Sequence, residues 1–419
     1  MTLPLDQLFV LTKQHLLAHI PTPAQPIASA ILSVTPILIA FPLLFAITTL
    51  LERKGLGRIQ NRYGPNRTGP LGLWQPIADG IKSLTKEDIV PHTADHAVHL
   101  LAPILIAAAS FLGYAVLPIG RNMTLLNLNA GVLYFFAVGS LVELAVFMAG
   151  WSSRSKYSLL GAMRAIAQMI SYEVPLVLAS VSVIMQSGSL STVSIVEQQA
   201  TYTGIFPHWN IFTPWGILGF ALFMVAACAE SNRSPFDLPE GESEIIAGYY
   251  IEYSGFKFAL FFLGEYLGMF ATSGMAITLF LGGWSAPLSF LTFIPSYLWF
   301  FLKLLVLIAG FIWVRGTLPR LRMDQLMSLA WQFILPLAIL NIFVVGVWRF
   351  LPSGILRWLI CTILIIIPFT FLSRTLKKIK KFQTRTYAFV EYPITSTASP
   401  LCNTVLTAPI ANSPEPQQP

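Results

Sequence analysis

Charge is scarce in this sequence. Only 11% of its 419 residues are Asp, Glu, Lys or Arg, where an ordinary soluble domain carries roughly 25%. With 55% hydrophobic residues and a mean hydropathy of +0.68, a water-soluble fold has nowhere to hide its apolar surface. Cysteine is scarcer still. Cys228, Cys361 and Cys402 lie far apart without a C-x-x-C spacing, which excludes an iron–sulfur or zinc site built from this chain alone. The first 26 residues hold one lysine, no arginine and no small-residue cleavage pattern, so a cleaved signal peptide is not expected.

What is present is a series of apolar runs of 18 residues or more, long enough to cross a hydrocarbon core of roughly 30 Å. Continuous runs of this length predict helices, not the alternating segments of a barrel. Spans are expected at about 27–50, 98–118, 131–150, 166–186, 213–230, 257–280, 296–314, 329–348 and 354–372, giving an all-α integral membrane bundle of about nine transmembrane helices. The chain then divides into an N-terminal segment (1–26), a membrane core with about eight spans (27–350), an added helix with a basic flank (351–385) and a Pro-, Ser- and Thr-rich tail (386–419) expected to be disordered.

Basic residues fit that count. Of the 26 Lys and Arg, 21 fall in the first, third, fifth and seventh loops and the C-terminal tail; Lys13, Arg121, Arg349 and Arg357 fall on the other side and Lys303 inside a span. The positive-inside rule then puts the N-terminus outside and the C-terminus in the cytoplasm, most simply of a bacterial plasma membrane. The net charge of +7 is a consequence of topology and calls for no nucleic acid.

Directly after the first span come Glu52-Arg53-Lys54, then Arg58, Arg62 and Arg67 threaded through Tyr63-Gly64-Pro65-Asn66 and Gly69-Pro70. Gly-Pro punctuation predicts a shaped loop rather than a continuing helix. Leu71, Trp74, Ile77, Ile81 and Leu84 follow at spacings of three or four, with Asp79, Lys82 and Lys86 opposite, which predicts an amphipathic helix lying in the interface. A topology anchor would account for the cations. A rigid scaffold presenting them can also hold an anionic headgroup, a carboxylate or a docking partner protein.

Acids cluster between residues 230 and 252: Glu230, Asp237, Glu240, Glu242, Glu244 and Glu252, against Arg233 alone. Glu240 and Glu244 would share one helical face and repel, so such a group can bind and release protons. Glu143, Glu173 and Glu265 fall within spans. Ionised carboxylates cost several kcal/mol in hydrocarbon, so a proton route is the leading reading and a neutral glutamate bonded to a neighbouring helix the plain one. His92, His96 and His99 have a spacing metals use, but histidines are ordinary where a loop enters a membrane, and no metal is expected.

Taken together, Glu52-Arg53-Lys54, Arg62-Tyr63-Gly64-Pro65-Asn66, Gly69-Pro70, Gln75-Pro76, Ala78-Asp79, Lys82 and Lys86-Glu87 resemble the first loop of the complex I membrane protein family called NADH dehydrogenase subunit 1. Gly161 to Glu173, Ala229 to Tyr253 and Pro319 to Leu329 agree in order, so the resemblance covers about residues 27–348. It implies a subunit that shapes a quinone tunnel and begins a proton-coupling path. FMN and iron–sulfur clusters would lie in partner subunits of the peripheral arm, and small membrane subunits would lead on to antiporter-like ones. It further implies Arg53, Arg62, Asp237, Glu240, Phe262 and Arg315 for the quinone path, and Glu173, Glu230, Glu240, Glu242, Glu244, Glu252 and Glu265 for proton coupling. Glu143 lies outside the matching motifs, and the ninth span is an addition to the eight of the family core. The membrane subunit of an energy-converting hydrogenase and a stand-alone proton-coupled transporter remain alternatives from the residues alone.

Overall fold

A chain in hydrocarbon must satisfy every backbone N–H and C=O internally, and the long apolar runs do so as helices. The structure is a computed structural model that describes residues 6–238, 247–352 and 354–379. Residues 1–377 form one compact unit, and of the second, 378–419, only the first two residues are described. Among the described residues eight helices are long and apolar enough to cross a membrane, joined by a shorter apolar one, Pro214–Glu230. Its 17 residues reach about 26 Å. The bundle is all-α, as hydropathy predicts.

A short helix α1 (Leu8–Ala18) precedes α2 (Gln25–Ile59), the first span. The interfacial helix α3 (Gln75–Thr85) has Pro76 in its first turn and exposes Ile77, Ile81 and Leu84, as a helix half-sunk in lipid should. Next come α4 (His96–Gly113), α5 (Gly131–Ser152), α6 (Lys156–Ser187), the short α7 (Thr192–Gln199) and α8 (Pro214–Glu230). They are followed by α9 (Gly255–Phe280), α10 (Ser296–Thr317) and α11 (Met323–Leu329), which passes through one wider π turn (Ala330–Ile334) into α12 (Leu335–Phe350). The last is α13 (Ile355–Ile379). Helix α9 is central: 72% of its apolar stretch is buried, against 11% for α2 and 6% for α13. It packs on α4, α8 and α10, while α6 packs on α5, α8 and α12.

Two boundaries differ from expectation. The charged stretch from Glu52 does not open a loop; it extends α2 to Ile59. Its Arg and Lys are good helix formers, and Glu52 is buried and paired, so the turn waits for Gly64-Pro65. Helix α6 starts at Lys156, about ten residues before the apolar window, because the polar Ser158 and Gln168 point into the protein and are fully buried.

The loop after α2 folds back on itself, with Arg62 N donating to Gly57 O at 2.8 Å. At Gly72 the backbone has φ +76°, and a Cβ would lie 2.2 Å from Pro65 O. Gly72→Ala should therefore displace the loop and lower the folded protein recovered from membranes several-fold. Gly80→Ala on α3 meets nothing within 4 Å and should leave recovery unchanged. Equal recovery of both variants by immunoblot would show that the loop has another way to close.

Candidate functional site

Helix α2 delivers Glu52 to the end of the bundle, and the turn after α8 delivers Arg233 to the same point from 181 residues away. Arg233 Nη1 lies 3.3 Å from Glu52 Oε1. Arg315, at the end of α10, donates to the same oxygen, and the Tyr266 hydroxyl donates to Oε2 at 2.5 Å. The Arg233 guanidinium also sits 3.8 Å from the centroid of the Tyr266 ring. A buried carboxylate is tolerated only when paired this way. Burial opposes the charge on Arg233, but Tyr266, Glu52 and Glu265 outweigh it and raise its pKa.

From α9, Glu265 accepts hydrogen bonds from the Tyr249 hydroxyl at 2.9 Å and from Tyr250. A small cavity of about 40 Å³ lies beside it, lined by Glu230, Glu265, Tyr249, Asn232, Ser110 and Thr272 among others. A water needs about 10–15 Å³ of such space and polar partners, so the cavity is fit for water between two carboxyls. Further along, the Glu143 and Glu173 side chains are hydrogen-bonded to each other, which requires a proton on one of them. Both interact with Glu230. Room for that approach comes from Gly139, one turn before Glu143, where a Cβ would stand 3.6 Å from Glu230 Oε1. The acids therefore form a file, from Glu173 and Glu143 through Glu230 and the cavity to Glu265, ending against the Arg233 and Glu52 cluster.

A second feature is an open groove of about 730 Å³ lined by Arg53, Arg62, Tyr63, Asn66, Arg67 and Gln75 among others. Arg53 pairs with Asp79 of α3 at 2.6 Å, and Asp79 also accepts from Gln75 Nε2 at 3.0 Å. Arg62 donates to Gln60 Oε1 at 2.7 Å. Helix α3 is thereby tied to α2 at the level where its apolar side chains meet lipid.

The model of the family described as NADH dehydrogenase matches residues 32–346. The chain belongs to that family. A second-copy H subunit of the NADH-quinone oxidoreductase of Syntrophobacter fumaroxidans is 48% identical over 327 residues, which cover 76% of this chain and 95% of that protein. The H subunit of the Burkholderia ambifaria enzyme is 46% identical over 338 residues, 79% of this chain and 94% of its own length, as is that of Burkholderia vietnamiensis. Within this NADH dehydrogenase family chain, α1 and α13 lie outside the matched residues, whereas the ion cluster, the acid file and the groove lie inside them.

The residues expected for the quinone path fall in separate places. Arg53 and Arg62 line the groove, Arg315 sits on Glu52, and Phe262 stacks 5.8 Å from Tyr250. Asp237 is half-buried and close enough to Glu265 to interact with it. Of the proton-coupling set, Glu173, Glu230 and Glu265 belong to the file; Glu252 is half-buried beside it, without a side-chain bond to it among the described residues. Glu240, Glu242 and Glu244 lie outside the described residues. Three histidines do not converge: His92 and His96 are exposed, while His99 is buried and stacked 4.0 Å from Tyr253. Among the described residues no group of His, Cys, Asp and Glu could hold a metal ion.

Sequence reasoning missed Glu52, Arg233, Tyr249, Tyr250 and Tyr266 as site residues and ranked Glu143 too low. Arg233 did carry a signal, as the lone cation among six acids. The tyrosines carried none, since aromatic residues are common in any membrane protein.

Proposed function

We propose that this chain is the membrane subunit of a proton-pumping NADH:quinone oxidoreductase, lining the path of the quinone headgroup and passing its charge to a file of carboxyls. The observation that carries the reading is the contact of one buried arginine, Arg233, with Glu52 while it also interacts with Glu265 of the acid file. Quinone reduction takes up two electrons and two protons, and electrons arrive from flavin and iron–sulfur carriers in partner subunits. An anionic oxygen near Arg233 or Arg315 would compete with Glu52 and Glu265 for their cations. One unit charge at about 4 Å is worth about 4 kcal/mol at an effective dielectric of about 20, enough to change proton occupancy about a thousandfold. Glu265 would respond by binding a proton through the cavity, and Glu230, Glu143 and Glu173 would pass the deficit on to neighbouring membrane subunits. Glu240, Glu242 and Glu244 are proposed to feed the same file.

In this reading the groove of Arg53 and Arg62 marks the mouth of the quinone path, at the surface where α3 meets lipid. The basic loops and the C-terminus face the cytoplasm, and the membrane is an energy-coupling one, of the bacterial plasma type. Arg62→Ala and Arg53→Ala should each lower quinone reduction several-fold while electron transfer from NADH to a hydrophilic artificial acceptor stays intact. Unchanged quinone kinetics in both assembled variants would remove the groove from the path.

A further inference from the structure

Gln168 of α6 is fully buried. Its amide nitrogen donates to Ala229 O at 2.7 Å and to Phe236 O at 2.6 Å, with Asn232 Oδ1 at 3.2 Å. Rotating the amide by half a turn would set its oxygen against those carbonyl oxygens, so the orientation is determined by its surroundings. Its Oε1 has no partner among the described residues; the side chain is held through its two N–H groups alone. One nitrogen thus ties together both ends of the turn 229–236.

What that turn carries makes the tie consequential. Ala229 precedes Glu230, which lines the cavity; Arg233, midway, reaches Glu52; and Asp237 follows Phe236. The other bonds are local ones, Arg233 N to Cys228 O at 3.2 Å and Phe236 N to Arg233 O at 2.8 Å, with Leu321 N reaching Pro235 O at 3.0 Å from the loop after α10. Among these, only Gln168 grips the turn at its two ends at once. We infer that Gln168 is a positioning residue that sets the separation of Arg233 from Glu230 and so couples the ion cluster to the proton cavity. The inference rests on the function proposed above.

Gln168→Leu keeps the volume and removes both donors; Gln168→Asn keeps the donors on a stem one carbon shorter. Both would be assayed in the complete enzyme in native membranes, with NADH oxidation by a hydrophilic acceptor reporting the assembled amount. Quinone turnover per assembled enzyme should fall about tenfold in Gln168→Leu, protons moved per NADH oxidised should fall with it, and Gln168→Asn should recover part of both. Wild-type turnover and proton ratio in Gln168→Leu would overturn the inference. So would lower turnover at an unchanged proton ratio, or failure of both variants to assemble, which would assign Gln168 to folding alone. Glu52→Gln, assayed in parallel, separates the two levels: impaired Glu52→Gln with normal Gln168→Leu defeats only the inference, whereas normal behaviour of both defeats the proposed function as well.

Discussion

Arg233→Met should cost this protein most of its quinone-dependent activity, or its assembly, while leaving the exposed ion pairs untouched. Arg233 is 8% exposed and Glu52 5%, and removing one partner of a buried pair costs about 3–5 kcal/mol because the other charge stays behind. Methionine fills the volume of the arginine stem, so the loss reports on charge rather than on a hole. Arg315 and Tyr266 would still hold Glu52, but the link to Glu265 would be gone. Arg53→Met makes the contrast: its pair with Asp79 has half-exposed side chains, and such pairs contribute about 0–1 kcal/mol. Combining Arg233→Met with Glu52→Gln should recover part of the assembled enzyme, since no uncompensated carboxylate remains. The measurements are abundance on native gels and quinone reductase rate per assembled enzyme. Wild-type values for the single variant would mean that the cluster is dispensable.

The second large effect concerns the acid file. Glu230→Gln keeps size and hydrogen-bonding capacity but cannot titrate, so a carboxyl that only fills space should tolerate it. The expected result is an assembled enzyme whose quinone reductase rate and proton pumping fall together by more than about tenfold, a loss that an ionophore does not restore. Glu173→Gln should behave in the same direction. Adding Glu143→Gln to it should change little further, because the two carboxyls share one hydrogen bond and act as a unit. Membrane-potential formation and quinone reduction in isolated membranes decide it: normal rates in Glu230→Gln and Glu173→Gln would return these carboxyls to a packing role.

The helices were legible because hydropathy acts over a whole window and the solvent is lipid. Where a membrane helix turns polar, that signal stops short: α6 runs ten residues before its apolar stretch because Ser158 and Gln168 face protein, and α2 continues through Glu52 for the same reason. The acids could be singled out from composition, since an unexplained carboxyl in hydrocarbon is costly wherever it sits. Their partners could not. Glu52 meets Arg233 and Arg315 only after chain closures of 181 and 263 residues, and no local spacing encodes such a meeting. Glu143 shows the same limit from the other side: without a motif around it, its place beside Glu173 became visible only when α5 and α6 were packed.

Helix α13 has a consequence for where the chain comes out. Trp348 stacks edge-on with Trp358 at 5.4 Å, and Phe333 meets Phe369 at 5.6 Å, so α13 runs back along α12 and its preceding turn in the opposite direction. A chain that stopped at Phe350 would finish at the far end of the bundle from the Glu52 cluster. With α13 it finishes at the near end, alongside the start of α11. Because α13 is 6% buried, it moves the exit point without entering the core. A fluorescent or affinity handle fused behind it would report from the compartment of the charged cluster, and the same handle placed after residue 350 would report from the other one.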